Sequence, residues 1–111
     1  VDSLPTSANQ EDHVSMATFA ARRLQPMISN VAVILGIEWL ASAQGVEFLR
    51  PLRSSVALEQ AHALLRAQCA AMPTDRYLAP DIERATALVA EGALSSVLRN
   101  LEGLPTLWKA V

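Results

Sequence analysis

The densest run of chemistry-bearing side chains is Asn9-Gln10-Glu11-Asp12-His13. Read locally, Ser7-Ala8-Asn9-Gln10 is a Ser-x-x-Gln capping box, in which side-chain oxygens satisfy the first free amides of a helix. Glu11 and Asp12 then fall in the first turn, where carboxylates complement the helix dipole. The same placement allows a second role. A carboxylate held at a rigid helix terminus, in a pocket closed by neighbours, can contact a cationic or imidazole-bearing ligand. If desolvated there it can act as a base, because burial disfavours its charged form. His13 falls on the apolar face of the helix that follows and reads as a core histidine rather than a ligand.

Other chemistries find little support. Glycines at 36, 45, 92 and 103 build no phosphate-binding loop. Two distant histidines and one cysteine supply no metal site, so no metal is expected. A Ser/His/Asp or Cys/His triad is open on residue types, but no nucleophile sits in a strand-turn-helix context. Cys69, flanked by Gln68 and Ala70, reads as a small buried hydrophobe.

The elements that must position these residues are helical, and the chain reads as all-α. Apolar spacing predicts helices at roughly 8–24, 26–47, 55–71, 80–91 and 93–100. Pro26 ends or kinks the first and opens the second. The second is apolar nearly all round, through Ile28, Val31, Val33, Ile34, Leu35, Ile37 and Leu40. A helix of that kind is expected to be buried on all sides. Pro51 breaks the chain at Arg50, and Ser54 or Ser55 can cap the third helix. Pro80 and Asp81 open the fourth and Gly92 stops it. The tail from Gly103 breaks regularity, with Trp108 as a candidate anchor.

The chain has 111 residues, 51% of them apolar. That length suits one domain, but such a domain buries only about two-thirds of its surface. Either an unusual share of the apolar residues is packed away or a partner covers them, and the isolated chain is expected to self-associate. Nine basic and eleven acidic residues are too balanced to argue for nucleic acid or an anionic membrane. Met27 to Val46 is long enough for a membrane span, but Glu38 near its centre favours a soluble buried helix. The chain opens at Val1 without an initiator Met, which suggests processing or a piece of a longer polypeptide. With no secretory pattern and one cysteine, a cytoplasmic location is expected.

The segment Leu4-Pro5-Thr6-Ser7-Ala8-Asn9-Gln10-Glu11-Asp12-His13-Val14-Ser15-Met16 resembles the histidine-specific members of the aromatic amino-acid lyase family. The resemblance continues through Ala21-Arg22-Arg23, Ile37 to Gly45, Phe48-x-Arg50-Pro51-Leu52, Glu59-x-Ala61-His62, and Asp75-Arg76 with Ala79 to Glu83. It covers nearly all of residues 4–99 and matches the C-terminal portion of that fold. It implies an all-α homotetramer of long helices, with active sites shared between subunits. The implied reaction is elimination of ammonia from L-histidine to give trans-urocanate. The resemblance places Glu11 against the substrate imidazole, as a contact or base, with Gln10 beside it in the pocket wall. The phenylalanine and tyrosine lyases carry an Asn-Gln pair where this chain has Gln10-Glu11. A carboxylate suits an imidazole N–H and not a phenyl ring.

The resemblance also implies a methylidene-imidazolone (MIO) electrophile, formed autocatalytically from Ala-Ser-Gly. Here the nearest match, Ala41-Ser42-Ala43, lacks the glycine. The chain is thus expected to supply one wall of a site and to be inactive alone. The alternatives are part of a related MIO-dependent lyase or aminomutase, or a non-enzymatic helical assembly domain.

Overall fold

The structure, a computed structural model, describes residues 3–99. Strands β1 (Ser3–Pro5) and β2 (His13–Ser15) form an antiparallel hairpin. Helices α1 (Ala17–Glu47), α2 (Val56–Arg66), α3 (Ala79–Ala90) and α4 (Ser95–Leu98) follow. The structure is predominantly helical, and the hairpin is its one departure from the all-α expectation among the described residues. Residue 100, the expected end of the last helix, and the anchoring role of Trp108 lie outside the described residues.

The expected helix from residue 8 is replaced by this hairpin. Ser7, Ala8 and Asn9 are left-handed, with φ of 47°, 57° and 68°. Such a conformation costs an L-residue about 1–2 kcal/mol, so it needs compensation. Thr6 provides it, donating from both its amide (2.9 Å) and its hydroxyl (3.0 Å) to the Asp12 carbonyl and closing the neck of the loop. The pairing Ser3↔Ser15, Leu4↔Val14, Pro5↔His13 continues below that neck. His13 therefore lies exposed on β2 and not on the apolar face of a helix.

Pro26, expected to end a helix, lies inside α1. Proline removes one ladder hydrogen bond, here to the Arg22 carbonyl. Residues 21–31 are all exposed, so solvent is available to that carbonyl. Apolar spacing runs through the proline, and the two expected helices become one of 31 residues.

The shorter helices follow local rules. The Ser55 side chain accepts the Leu58 amide at the start of α2. α2 stops at Arg66, short of the expected 71, and Arg76 collects carbonyls beyond it: Ala70 and Ala71, each at 2.8 Å. Pro80 and Asp81 stand in the first turn of α3. Gly92, with φ of 70°, ends α3 in a Schellman closure: Ala93 N–H donates to the Leu88 carbonyl and Gly92 N–H to that of Val89.

The core is small. Ala43, Leu65, Cys69 and Ala85 are buried, flanked by Trp39, Leu40 and Leu88. α1 packs chiefly on α3 and more narrowly on α2, and α2 touches α4. The expectation that the apolar stretch of α1 is buried on all sides fails within this chain. Gly36 and Ala43 are its buried residues, while Ile28 is 68% and Ile34 61% exposed. The described elements are too few to surround so long a helix. Accordingly, the radius of gyration is 20.5 Å, against about 13 Å for a compact chain of this length.

Two glycines of α1 predict opposite outcomes. A Cβ at Gly36 would stand 2.9 Å from the Thr86 backbone nitrogen, whereas one at Gly45 meets nothing within 4 Å. Gly36→Ala should destabilise the chain by about 1–3 kcal/mol. Gly45→Ala should stabilise it by about 0.5–1 kcal/mol, the helix-propensity gain. Urea denaturation followed by circular dichroism checks both, and equal effects would contradict the packing described.

Candidate functional site

The hairpin loop carries the residues singled out by sequence. Gln10 and Glu11 occupy the loop between β1 and β2, both exposed. Their position depends on the left-handed turn, since Gln10 N–H returns to the Ser7 carbonyl at 3.1 Å. The same turn brings the Ser7 hydroxyl to the Glu11 carboxylate, donating to Oε2 at 2.6 Å. Ser7 thus does not cap a helix; its donor serves a carboxylate. The structure keeps Gln10, Glu11 and Asp12 together on this loop and sets His13 apart on β2. The loop projects from the N-terminal end of α1, while the buried core lies at the other end of that helix.

Three further polar clusters tie the helices together. Glu47 at the end of α1 accepts from Arg66 twice, at 2.7 and 3.1 Å, and from His62 Nε2 at 3.0 Å. Arg66, the larger influence, holds the Glu47 carboxyl below the usual carboxylate range against the opposing effect of burial; His62 adds to it. Beside it, the Gln44 side-chain oxygen accepts the Met72 amide at 2.9 Å. Arg50 and Glu59 form a bidentate pair at 2.8 and 2.9 Å, and Ser54 N–H donates to the same carboxylate at 2.9 Å. That geometry pulls the Glu59 carboxyl down to about 2, the Arg50 bond first and the Ser54 amide second. Asp81, buried, accepts from Arg76 at 2.9 Å and lies 3.4 Å from Arg84.

Sequence reasoning did not assign these clusters. The available signal was the spacing of Glu59, His62 and Arg66, which share one face of α2; their partners on α1 and in the connector become visible in three dimensions. They join backbone and helices, and the chemistry they carry is structural. Cys69 is buried, and burial first, then the Asp81 charge, pushes its thiol up; its Sγ donates to the Asp81 carbonyl at 3.6 Å. That is an unreactive thiol.

No group of three or more metal-ligating side chains occurs among the described residues. The residues present do not fit an MIO group either. Ala41-Ser42-Ala43 lies within α1, with Ala43 buried in the core, so its amides belong to the helical ladder and are not free to cyclise. Two apolar grooves flank α1. One of about 300 Å³ is lined by Ile37, Leu40, Phe48, Met72 and Ile82, the other of about 420 Å³ by Leu35, Trp39, Leu58, Val89 and Val97. By length and composition α1 could also cross a membrane.

The profile of the aromatic amino acid lyase family matches residues 1–67. The chain belongs to that family. Its relatives include the histidine ammonia-lyase of Rhodospirillum rubrum, 59% identical over 98 residues that make up 88% of this chain and 19% of the relative. That of Pseudoalteromonas atlantica is 54% identical over 100 residues, 90% of this chain and 20% of the relative. The crystal structure of histidine ammonia-lyase from Trypanosoma cruzi superposes with a TM-score of 0.76 at 40% identity, over 88% of this chain and 19% of that one. The chain thus spans about a fifth of the length of the relatives it matches.

The Glu59 carboxylate makes the connector between α1 and α2 acid-sensitive. Its pKa is lower in the fold, about 2, than its ordinary value of 4.5. The stabilisation is therefore complete above pH 4.5 and disappears as pH falls towards 2. An acid titration followed by circular dichroism should show this component in the parent chain and not in Glu59→Gln. Superimposable titrations would refute it.

Proposed function

We propose that this chain is the C-terminal part of a histidine ammonia-lyase, and that Glu11 faces the imidazole of L-histidine. The observation that carries the reading is a carboxylate on a constrained hairpin loop, in a chain 54–59% identical to histidine ammonia-lyases. A carboxylate accepts an imidazole N–H or pairs with an imidazolium; a phenyl ring offers neither. Gln10 adds an amide to the same wall. In the reaction the substrate loses its amino group as ammonia and a β-proton, leaving the double bond of trans-urocanate.

The MIO electrophile belongs, in this reading, to the remainder of such an enzyme, since the residues here do not fit it. The exposed hairpin and α1 are to be covered by that remainder and by other subunits of a cytoplasmic homotetramer, without nucleic acid or membrane. Alone, the chain self-associates through the open apolar face of α1. Light scattering should detect species larger than a monomer, and a clean monomer that binds no hydrophobic dye would contradict this.

The activity is testable in a chimera in which this chain replaces the matching fifth of the Rhodospirillum rubrum enzyme. The isolated chain should form no urocanate from L-histidine, whereas the chimera should. Glu11→Gln in the chimera should lower turnover by about 10²–10⁴-fold, the range typical of an acid–base group. Near-native turnover would refute the role of Glu11. A preference for another aromatic substrate would favour a related lyase or aminomutase, and an inactive, well-folded chimera would favour an assembly domain.

A further inference from the structure

The loop that carries Glu11 contains one more polar group for which the reaction above has no role. The Ser7 hydroxyl donates to Glu11 Oε2 at 2.6 Å, the short range of a charge-assisted O–H···O⁻ bond. The closed loop fixes the place of Ser7. Its own backbone is left-handed, with φ of 47°, followed by two more left-handed residues. The neck of the loop is closed below it by the double donation of Thr6 to the Asp12 carbonyl. The hydroxyl is thus a fixed donor on a short closed loop, whereas an exposed glutamate otherwise samples several rotamers. The bond uses one carboxylate oxygen and leaves the other without a hydrogen-bond partner among the described residues.

We propose that Ser7 is a positioning residue: its hydroxyl holds Oε2 of Glu11 so that Oε1 is presented to the imidazole of the bound substrate. This rests on the assignment of Glu11 above. Ser7 touches no reacting atom. It removes the need to order the Glu11 side chain when the substrate binds. It also selects the oxygen available, and with it the direction from which the ring is met. Asp12, beside Glu11, lends the loop its backbone carbonyl through Thr6, so the neighbouring acid shapes the loop through its main chain.

The test uses the same chimera and L-histidine as substrate. Ser7→Ala and Ser7→Gly both remove the hydroxyl, and glycine also tolerates the left-handed backbone. A merely structural defect reduces the active fraction, lowering kcat and leaving KM unmoved. Loss of a positioned contact to bound substrate raises KM. Both variants should raise KM about tenfold, the equivalent of one hydrogen bond to a charged group. In a Glu11→Ala background, Ser7→Ala should add less than about twofold, since the partner is gone. An unchanged KM in both single variants would overturn the proposal, as would an equal effect of Ser7→Ala with and without Glu11. If Glu11→Ala itself leaves kcat and KM unchanged, the assignment of Glu11 falls and takes Ser7 with it. A damaging Glu11→Ala with silent Ser7 variants removes Ser7 alone.

Discussion

At Gly36 the backbone of α1 approaches α3 so closely that a single methyl group would meet the Thr86 amide nitrogen at 2.9 Å. The rest of the helical body depends on that approach. It puts α3 against α1, and α3 brings Ala85 into the core with Ala43, Leu65 and Cys69. Each of those side chains is small or moderate, so this core gains its stability from close backbone packing and not from large buried volume. The hydroxyl of Thr86 stands at the same crossing, buried and without a hydrogen-bond partner among the described residues. A close crossing can carry such a cost where the surrounding packing outweighs it.

Polar contacts then set the relative placement of α1 and α2. Glu47, His62 and Arg66 join their adjoining ends, and Arg50 with Glu59 fixes the connector between them. Asp81 and Arg76 play the same part at the start of α3, where Arg76 also takes the carbonyls left open beyond α2. Exposed ion pairs are individually weak. Here they share partners and accept backbone donors, which orients the chain at places where the small core does not reach.

The N-terminal half of α1 and the hairpin share neither device. Apolar side chains such as Ile28 and Ile34 stand largely in solvent, and Glu11 lies on a loop beyond them. A catalytic pocket needs enclosure on several sides to strengthen its polar contacts. This chain spans about a fifth of its relatives and leaves this half open, which is what the proposed reading of a contributed wall requires. The hairpin keeps its own shape through Thr6 and Asp12, without enclosure by the rest of the described chain.

Much was legible in the residue order because it depends on neighbours a few positions apart. The Ser55 cap, the opening of α3 at Pro80 and Asp81 and its end at Gly92 are of this kind, as is the motif that placed the chain among the aromatic amino acid lyases. Local physics was misleading at two points. Ser7 to Gln10 has the pattern of a capping box, yet the Thr6–Asp12 closure turns it left-handed. Pro26 has the marks of a helix boundary, yet α1 continues through it along a stretch exposed to solvent. The Glu47–His62–Arg66 cluster joins residues up to nineteen apart in sequence, beyond the reach of local spacing. The sequence by itself determined helical character, the placing of Gln10 and Glu11 in the densest polar run, and an apolar excess greater than one small domain can bury. Tertiary structure alone decided that Glu11 rides on a hairpin loop held by Ser7 and that α1 is one helix packed on α3 at Gly36. Those outcomes are set by backbone closures and close approaches between distant residues, whose energies do not exist until the chain has folded.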